Sequence, residues 1–211
     1  LRTGRALRVP RARTRGRGKG FVRPEIMISE RPAEADDRAV PGHWEGDLIL
    51  GLDSSAIGTL VERTTRFVML LHLPRLDGHG HGPRVHNGPA LAGHGAEAVR
   101  DAITASIGTL PEQLRRSLTW DQGSEMAEHA RLRIDSGVDI YFCDPHSPWQ
   151  RGCNENTNGL LRQYFPKNTD LRLHSAAHLN AVARRLNTRP RQTLNWMKPS
   201  EVFGRAVAST G

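Results

Sequence analysis

The chain has 211 residues, 37% of them hydrophobic and 5% aromatic, with a formal net charge of +8; this is enough for one ordinary α/β domain with flanking pieces and too little for two large ones. No stretch approaches the roughly 18 uninterrupted apolar residues of a membrane helix, and no apolar segment follows the N-terminal arginines as in a secretory signal, so a cytoplasmic chain without membrane contact is expected. The two cysteines, Cys143 and Cys153, form neither a C-x-x-C pair nor a disulfide framework, and they offer no cysteine zinc site.

Residues 1–23 carry nine basic side chains and no acid, leaving 21 basic against 22 acidic residues in the remainder. The positive charge therefore belongs to an N-terminal tail. Its composition (RARTRGRGKG) has too little apolar surface to fold alone and reads as a disordered arm, either neutralising phosphates or serving as a linker. The start at Leu1 reads as that of a fragment or a processed chain. A connector rich in proline and acids, near Pro32 to Pro41, completes a first segment over 1–40. A folded core is expected over 41–205 and a short tail over 206–211.

Three runs rich in Ile, Leu, Val, Thr and Phe (WEGDLILG, SAIGTLVERTTR and FVMLLHL) predict an antiparallel meander. The stretch 75–95 is rich in Gly and His, lacks periodicity and reads as an inserted surface loop. The spacing of Val99, Ala102, Ile103, Ile107 and Leu110 predicts a helix closed by Pro111. RSLTW reads as a fourth strand ending at Asp121, AEHARLRIDSG as a short helix stopped by Gly137, and VDIYFC as a fifth strand running into the turn DPHSP. After the loop WQRG, NENTNGLLRQYF predicts a helix ended by Pro166, and Ser175 is the expected N-cap of a last helix through Leu179, Val182 and Leu186. Three meander strands followed by alternating helices and strands predict an α/β fold: a mixed five-stranded sheet with helices on both faces.

Asp47 interrupts an apolar strand, where a carboxylate is costly unless a cation or hydrogen bonds hold its charge. Asp121 closes another strand, where α/β sheets present groups to ligands. Glu155 lies in the first turn of a helix among Asn154, Asn156 and Asn158. Three such carboxylates suit a hard, octahedral cation such as Mg²⁺ or Mn²⁺, and a pair of ions would promote phosphodiester displacement. The same residues read equally as a strand-edge charge, a turn former and a favourable acid at a helix N-terminus. Arg162, seven residues after Glu155, falls on the same helix side and could hold a phosphate. Gly159 between them costs about 1 kcal/mol relative to Ala; close approach of DNA or a neighbouring strand would account for it.

Four segments, GHWEGDLILG, SAIGTLVERTTRF, LTWDQGSEM and YFCDPHSPWQRGCNENTNGLLRQYFPK, closely resemble the catalytic core of insertion-sequence-thirty family transposases, within the retroviral-integrase-like DDE superfamily. The resemblance runs from about Gly42 to Phe203, broken by the insertion. It implies a ribonuclease-H-like fold, with an integrase-like catalytic core over 41–205, and places the family's acidic triad on Asp47, Asp121 and Glu155, with 33 residues between the last two. The family's basic residue after the glutamate falls on Arg162. By resemblance, the triad holds two Mg²⁺ or Mn²⁺ ions. The implied activity is metal-dependent hydrolysis of a phosphodiester at a transposon end, followed by attack of the freed 3′-hydroxyl on target DNA. The implied partners are transposon-end and target DNA and further copies of the chain on that DNA, at the nucleoid. Asn158, Trp149, Gln150, Arg162 and Lys167 are the expected DNA contacts.

The rival functions are a ribonuclease-H-like nuclease that cuts without joining and a non-catalytic DNA-binding remnant. The family's N-terminal helix-turn-helix modules have no counterpart in the pattern of residues 1–40, so recognition of element ends is not expected from this segment. Cys153 stands where a threonine or similar small residue is expected. Glu45 shares a strand face with Asp47 by period two and is the rival ligand, while Asp144 reads as a turn former. Trp44 reads as a DNA contact or a core residue. Arg184, Arg185, Arg189 and Arg191 read as a phosphate-binding strip or the wet side of an amphipathic helix. His79, His81, His86 and His94, set among glycines, read as a flexible loop.

Overall fold

The structure is a computed structural model that describes residues 23–75 and 94–209. Residues 1–22, 76–93 and 210–211 lie outside the described residues, and with them nearly all of the basic stretch 1–23 and most of the insertion 75–95. Five strands, β1 (His43–Leu50), β2 (Ala56–Glu62), β3 (Val68–Leu73), β4 (Ser117–Trp120) and β5 (Asp139–Phe142), form one sheet in the order β3-β2-β1-β4-β5. The β1-β2 and β2-β3 pairs are antiparallel, as the meander predicts, whereas β1-β4 and β4-β5 are parallel.

The helices are α1 (Ala33–Asp37), α2 (Ala96–Ile107), α3 (His129–Ser136), α4 (Gly152–Leu161), α5 (Ala176–Asn187) and α6 (Pro199–Ala208). Strand alternation divides the core in two. Trp44, Leu60, Leu71, Leu118 and Trp120 pack with α2, α3 and Phe203 of α6 on one face. Ile49, Ile57, Val61, Val68 and Leu70 pack with Leu161 of α4 and with Leu179, Val182 and Leu186 of α5 on the other. Because Glu45, Asp47 and Ile49 alternate with Trp44, Gly46 and Leu48, the strand's acids fall on the face covered by α4.

Local chemistry sets the helix ends. Ser175 caps α5 by accepting from the His178 N–H at 3.2 Å, and Gly137 closes α3 with a left-handed φ of 70°. Two differences from the sequence reading stand out. Helix α4 starts at Gly152 and ends at Leu161, earlier at both ends than the run NENTNGLLRQYF suggests. Helix α6, absent from the expected elements, begins with Pro199 in its first turn and Glu201 reaching back to Lys198; it runs through Ala208, past residue 205.

The connector is docked on the sheet. Met27 bridges to Phe142 on the outer edge of β5, Arg31 donates to Thr119 Oγ1 at 2.9 Å, and Arg63 Nε donates to the Ala35 carbonyl at 2.8 Å. At the opposite edge, the Asn187 side chain bonds both backbone groups of Val68, accepting at 2.8 Å and donating at 2.9 Å.

Gly46 fixes the spacing of the two central strands. A Cβ there would meet the Trp120 ring at 2.0 Å, and Trp120 is fully buried with no room to retreat. Gly46→Ala is therefore expected to cost about 3 kcal/mol by overpacking, read as a lower urea midpoint with an unchanged slope.

Candidate active site

The parallel register of β1 and β4 pairs His43 with Ser117, Trp44 with Leu118 and Glu45 with Thr119. The same offset carried two residues further brings Asp47 alongside Asp121, and the alternation that buries Trp44 and Trp120 on one face turns both aspartates to the other. One cation answers both: Arg151 Nη1 lies 3.2 Å from Asp47 Oδ1, and Arg151 Nη2 lies 3.7 Å from Asp121 Oδ2. Arg151 is 7% exposed, and its Nη1 also donates to the Gly46 carbonyl at 3.0 Å.

Each aspartate is held by further donors. The Leu48 N–H reaches Asp47 Oδ1 at 2.9 Å, and Asn158 Nδ2 reaches Oδ2 at 3.0 Å. The Gly123 N–H reaches Asp121 Oδ1 at 3.0 Å, a local turn that sets the carboxylate at the strand end. Burial pushes the Asp47 carboxyl above its ordinary value, outweighing the Arg151 charge and the Leu48 bond, with Asp121 adding to the rise. For Arg151, burial works against the charged form, but Asp47 and then Asp121 outweigh it and hold the guanidinium above its ordinary value. Burial also pushes the nearby Cys143 thiol up to about 11, so that group is neutral at physiological pH.

Glu155 is exposed in the first turn of α4, one turn beyond Arg151. Among the described residues, no three His, Cys, Asp or Glu side chains gather closely enough to hold a metal ion. Two of the three expected acids thus converge on a shared cation, and the third stands on the neighbouring helix turn outside that pair. The donor set fits a hard cation in its chemistry: oxygen-only ligands, two already facing one positive group.

Glu45, the rival by periodicity, is committed elsewhere. It is fully buried, ion-paired with Arg63, and accepts the Asn154 N–H at 2.9 Å. Asn154 in turn donates to the Glu45 carbonyl at 2.9 Å and accepts from Thr59 at 2.8 Å. These bonds seat the first turn of α4 on β1 and β2.

The expected DNA contacts divide. Trp149 is 71% exposed, and Lys167 is also exposed. Gln150 is tied to Asp144 by two bonds of 2.8 and 2.9 Å, Asn158 orients Asp47, and Arg162 reaches the Leu50 carbonyl at 3.4 Å. Trp44 is a core residue, its Nε1 donating to the Leu114 carbonyl at 2.9 Å. Arg184 and Arg185 lie on the exposed side of α5. A Cβ at Gly159 would meet nothing within 4 Å, so a neighbouring strand does not account for that glycine. Cys153 is buried in the apolar cluster beneath α4 and touches Arg66. A cleft of about 460 Å³ is lined by Arg31, Arg38, Arg63, Glu45, Trp149 and Gln150, among others, and its wall includes neither Asp47, Asp121 nor Glu155. Sequence reasoning missed Arg151, because the WQRG segment carries no spacing relation to either aspartate.

The transposase for insertion sequence element IS1086 of Cupriavidus metallidurans is 48% identical over 210 residues, which is 99% of this chain and 56% of that protein. Transposase InsI for insertion sequence element IS30C of Escherichia coli is 43% identical over 212 residues, 100% of this chain and 51% of that protein. The putative integrase ORF3 of Spiroplasma virus SpV1-R8A2 B is 32% identical over 191 residues, 89% and 53%. The chain spans about half the length of these relatives. No protein-family model matches it. Among solved structures, a chain of the cryo-EM structure of the simian T-cell lymphotropic virus intasome in complex with PP2A regulatory subunit B56 gamma superposes with a TM-score of 0.54 at 17% identity, covering 77% of this chain and 54% of that one. The fold is the mixed five-stranded sheet that the element order predicts, in the ribonuclease-H-like form that the resemblance implies.

Proposed function

From the premise that this chain belongs to the family of the IS30 and IS1086 transposases, of whose length it spans about half, we propose that it is the catalytic core of a DNA transposase. The observation that carries this reading is the convergence of Asp47 and Asp121, from adjacent parallel strands, on one buried cation. The core comprises 41–205 and continues to the end of α6 at Ala208, with the connector before residue 41 docked on its sheet. Asp47, Asp121 and Glu155 are its acidic triad and hold divalent ions, Mg²⁺ or Mn²⁺, two in number. Bound there, the ions activate the attacking oxygen and stabilise the leaving one in phosphodiester displacement.

The chain's own residues supply alignment. The Leu48 N–H and Asn158 fix both oxygens of Asp47, the Gly123 N–H fixes Asp121, and the Glu45–Asn154 bonds seat the helix turn that carries Glu155. Holding the attacking oxygen in line with the scissile phosphate is a large part of the rate in such reactions. Trp149 and Lys167, exposed beside these elements, contact DNA, and Arg162, Asn158 and Gln150 line the same surface. Transposon-end and target DNA are the partners, bound by a homo-oligomer at the nucleoid in the cytoplasm; among the described residues, no helix is long and apolar enough to cross a membrane.

The test is a strand-transfer assay with a labelled donor duplex bearing a free 3′-hydroxyl, a plasmid target, and Mg²⁺, Mn²⁺ or chelator. Joined product that requires the metal and falls by about 10³-fold or more in Asp121→Asn is the expected result, on the scale of losing a group that stabilises transition-state charge. Metal-dependent nicks without joined product would make the chain a nuclease. Salt-sensitive DNA binding with no cleavage would make it a binding module.

A further inference from the structure

We propose that Arg151 is an internal cation that holds Asp47 and Asp121 together while no divalent ion is bound and is displaced as one enters, with Glu155 completing the site in its place. The inference rests on the reading of these acids as the metal site, and it goes beyond that reading by assigning Arg151 a positioning role.

The geometry makes the exchange necessary. The guanidinium faces Asp47 Oδ1 and Asp121 Oδ2 at 3.2 and 3.7 Å, whereas a Mg²⁺ ligated by carboxylates requires oxygens at about 2.0 to 2.1 Å. An ion bridging the pair would sit within a few ångströms of the guanidinium carbon, and two cations at that separation in a partly buried site repel strongly. Asp47 has little spare capacity, since its oxygens already accept from Leu48, Asn158 and Arg151. The Arg151 contact is the one that can be given up, because the other two come from the strand backbone and from the helix wall.

Arg151 is also loosely satisfied for a buried arginine. Its Nε is buried without a hydrogen-bond partner, and its aspartate contacts, at 3.2 and 3.7 Å, are longer than the roughly 2.7 to 2.9 Å of a tight charge-assisted bond. Apart from the bond of its Nη1 to the Gly46 carbonyl at 3.0 Å, it is held there by charge, and a stronger charge can replace it at the carboxylates. Finally, Arg151 directly precedes α4 and is one turn from Glu155, so a shift at the helix entry that withdraws the guanidinium is the shift that advances the third acid.

The test compares Mn²⁺ binding by calorimetry, and melting temperature with and without Mn²⁺, for the 211-residue chain and for Arg151→Gln, Arg151→Lys and Asp121→Asn. Arg151→Gln is expected to bind Mn²⁺ about tenfold more tightly, because the competing charge is gone, and to melt lower than the parent without the ion but close to it when saturated. Arg151→Lys keeps the charge but cannot span both carboxylates, and it is expected to fall between the two. If Arg151→Gln folds only when Mn²⁺ is present, the exchange is supported directly. Mn²⁺ affinity in both Arg151 variants equal to or weaker than that of the parent would overturn the inference, and if the Gln variant folds under neither condition the Lys variant decides on the same criterion. Parent binding that Asp121→Asn leaves unchanged would instead overturn the reading of the metal site itself, and the inference with it.

Discussion

Asp47→Asn is expected to lower strand transfer by about 10³-fold or more while leaving the fold intact in the absence of metal. The first half follows from removing one of the two strand-borne charges on which the proposed chemistry rests. The second half follows from the sign of the Asp47 shift. Its carboxyl is held above its ordinary value of 3.8, chiefly by burial. A carboxyl raised on folding contributes stability that is fully present below the unfolded value and is lost as pH rises through the folded one. Folding therefore favours the neutral carboxyl over the ionised one even after Arg151 has been counted, and the neutral amide of Asn imitates the favoured form. Against this stands the weakened contact with Arg151, so the net change should stay within about 1 kcal/mol, or roughly 2 to 4 °C for a chain of this size. Joining activity and a melting curve in chelator, measured on the same preparation, check both halves. A collapse in melting temperature would mean that Asp47 serves the fold instead of the chemistry.

Glu45→Ala is expected to do the opposite, costing about 3 to 5 kcal/mol of stability because it strands a buried charge. Glu45 is fully buried, and its carboxylate joins Arg63 to the Asn154 N–H in the first turn of α4. Without it, the Arg63 guanidinium, which burial already pushes below its ordinary value, keeps Ala35 and Asp36 but loses its buried anion. Urea denaturation reads the loss. Hydrogen exchange at the Asn154 amide should rise by more than at amides of β2, because that N–H loses its acceptor. Replacing both members, Glu45→Leu with Arg63→Met, should recover most of the stability, since an apolar pair of similar volume does not need to be desolvated as ions.

The contrast between these two acids, two residues apart on one strand face, marks how far the sequence could be read. The alternation in WEGDLILG states that Glu45 and Asp47 point the same way, but not that one meets Arg63 and the other the open end of the sheet. That distinction depends on which residue of β4 lies alongside, a register set by packing of Gly46 against Trp120 and invisible to local pattern. The meander, the alternating second half and the Ser175 cap were legible because each is written in adjacent residues. Helix α6 was written there too, since Pro199, Val202, Phe203 and Ala206 keep helical spacing and Phe203 stacks on Phe67 at 4.2 Å, but the run is short and Gly204 interrupts it, and no helix was expected from it. Arg151 was hidden for a different reason: it lies 104 positions from Asp47 in the chain, and only the folded sheet brings the two together.

Asn187, at the outer edge of β3, presents a side-chain amide to Val68 as a neighbouring peptide group would, and Met27 bridges the outer edge of β5. Exposed strand edges are templates on which further chains add by backbone pairing, the usual route to aggregation. At these two points the template is already taken by the chain itself. A second copy seeking to continue the sheet would have to evict a buried amide at one side or peel back the connector at the other. Contacts between copies are thereby directed away from backbone pairing and toward side chains on helices and loops, where association can be specific, reversible and tied to what else those surfaces hold.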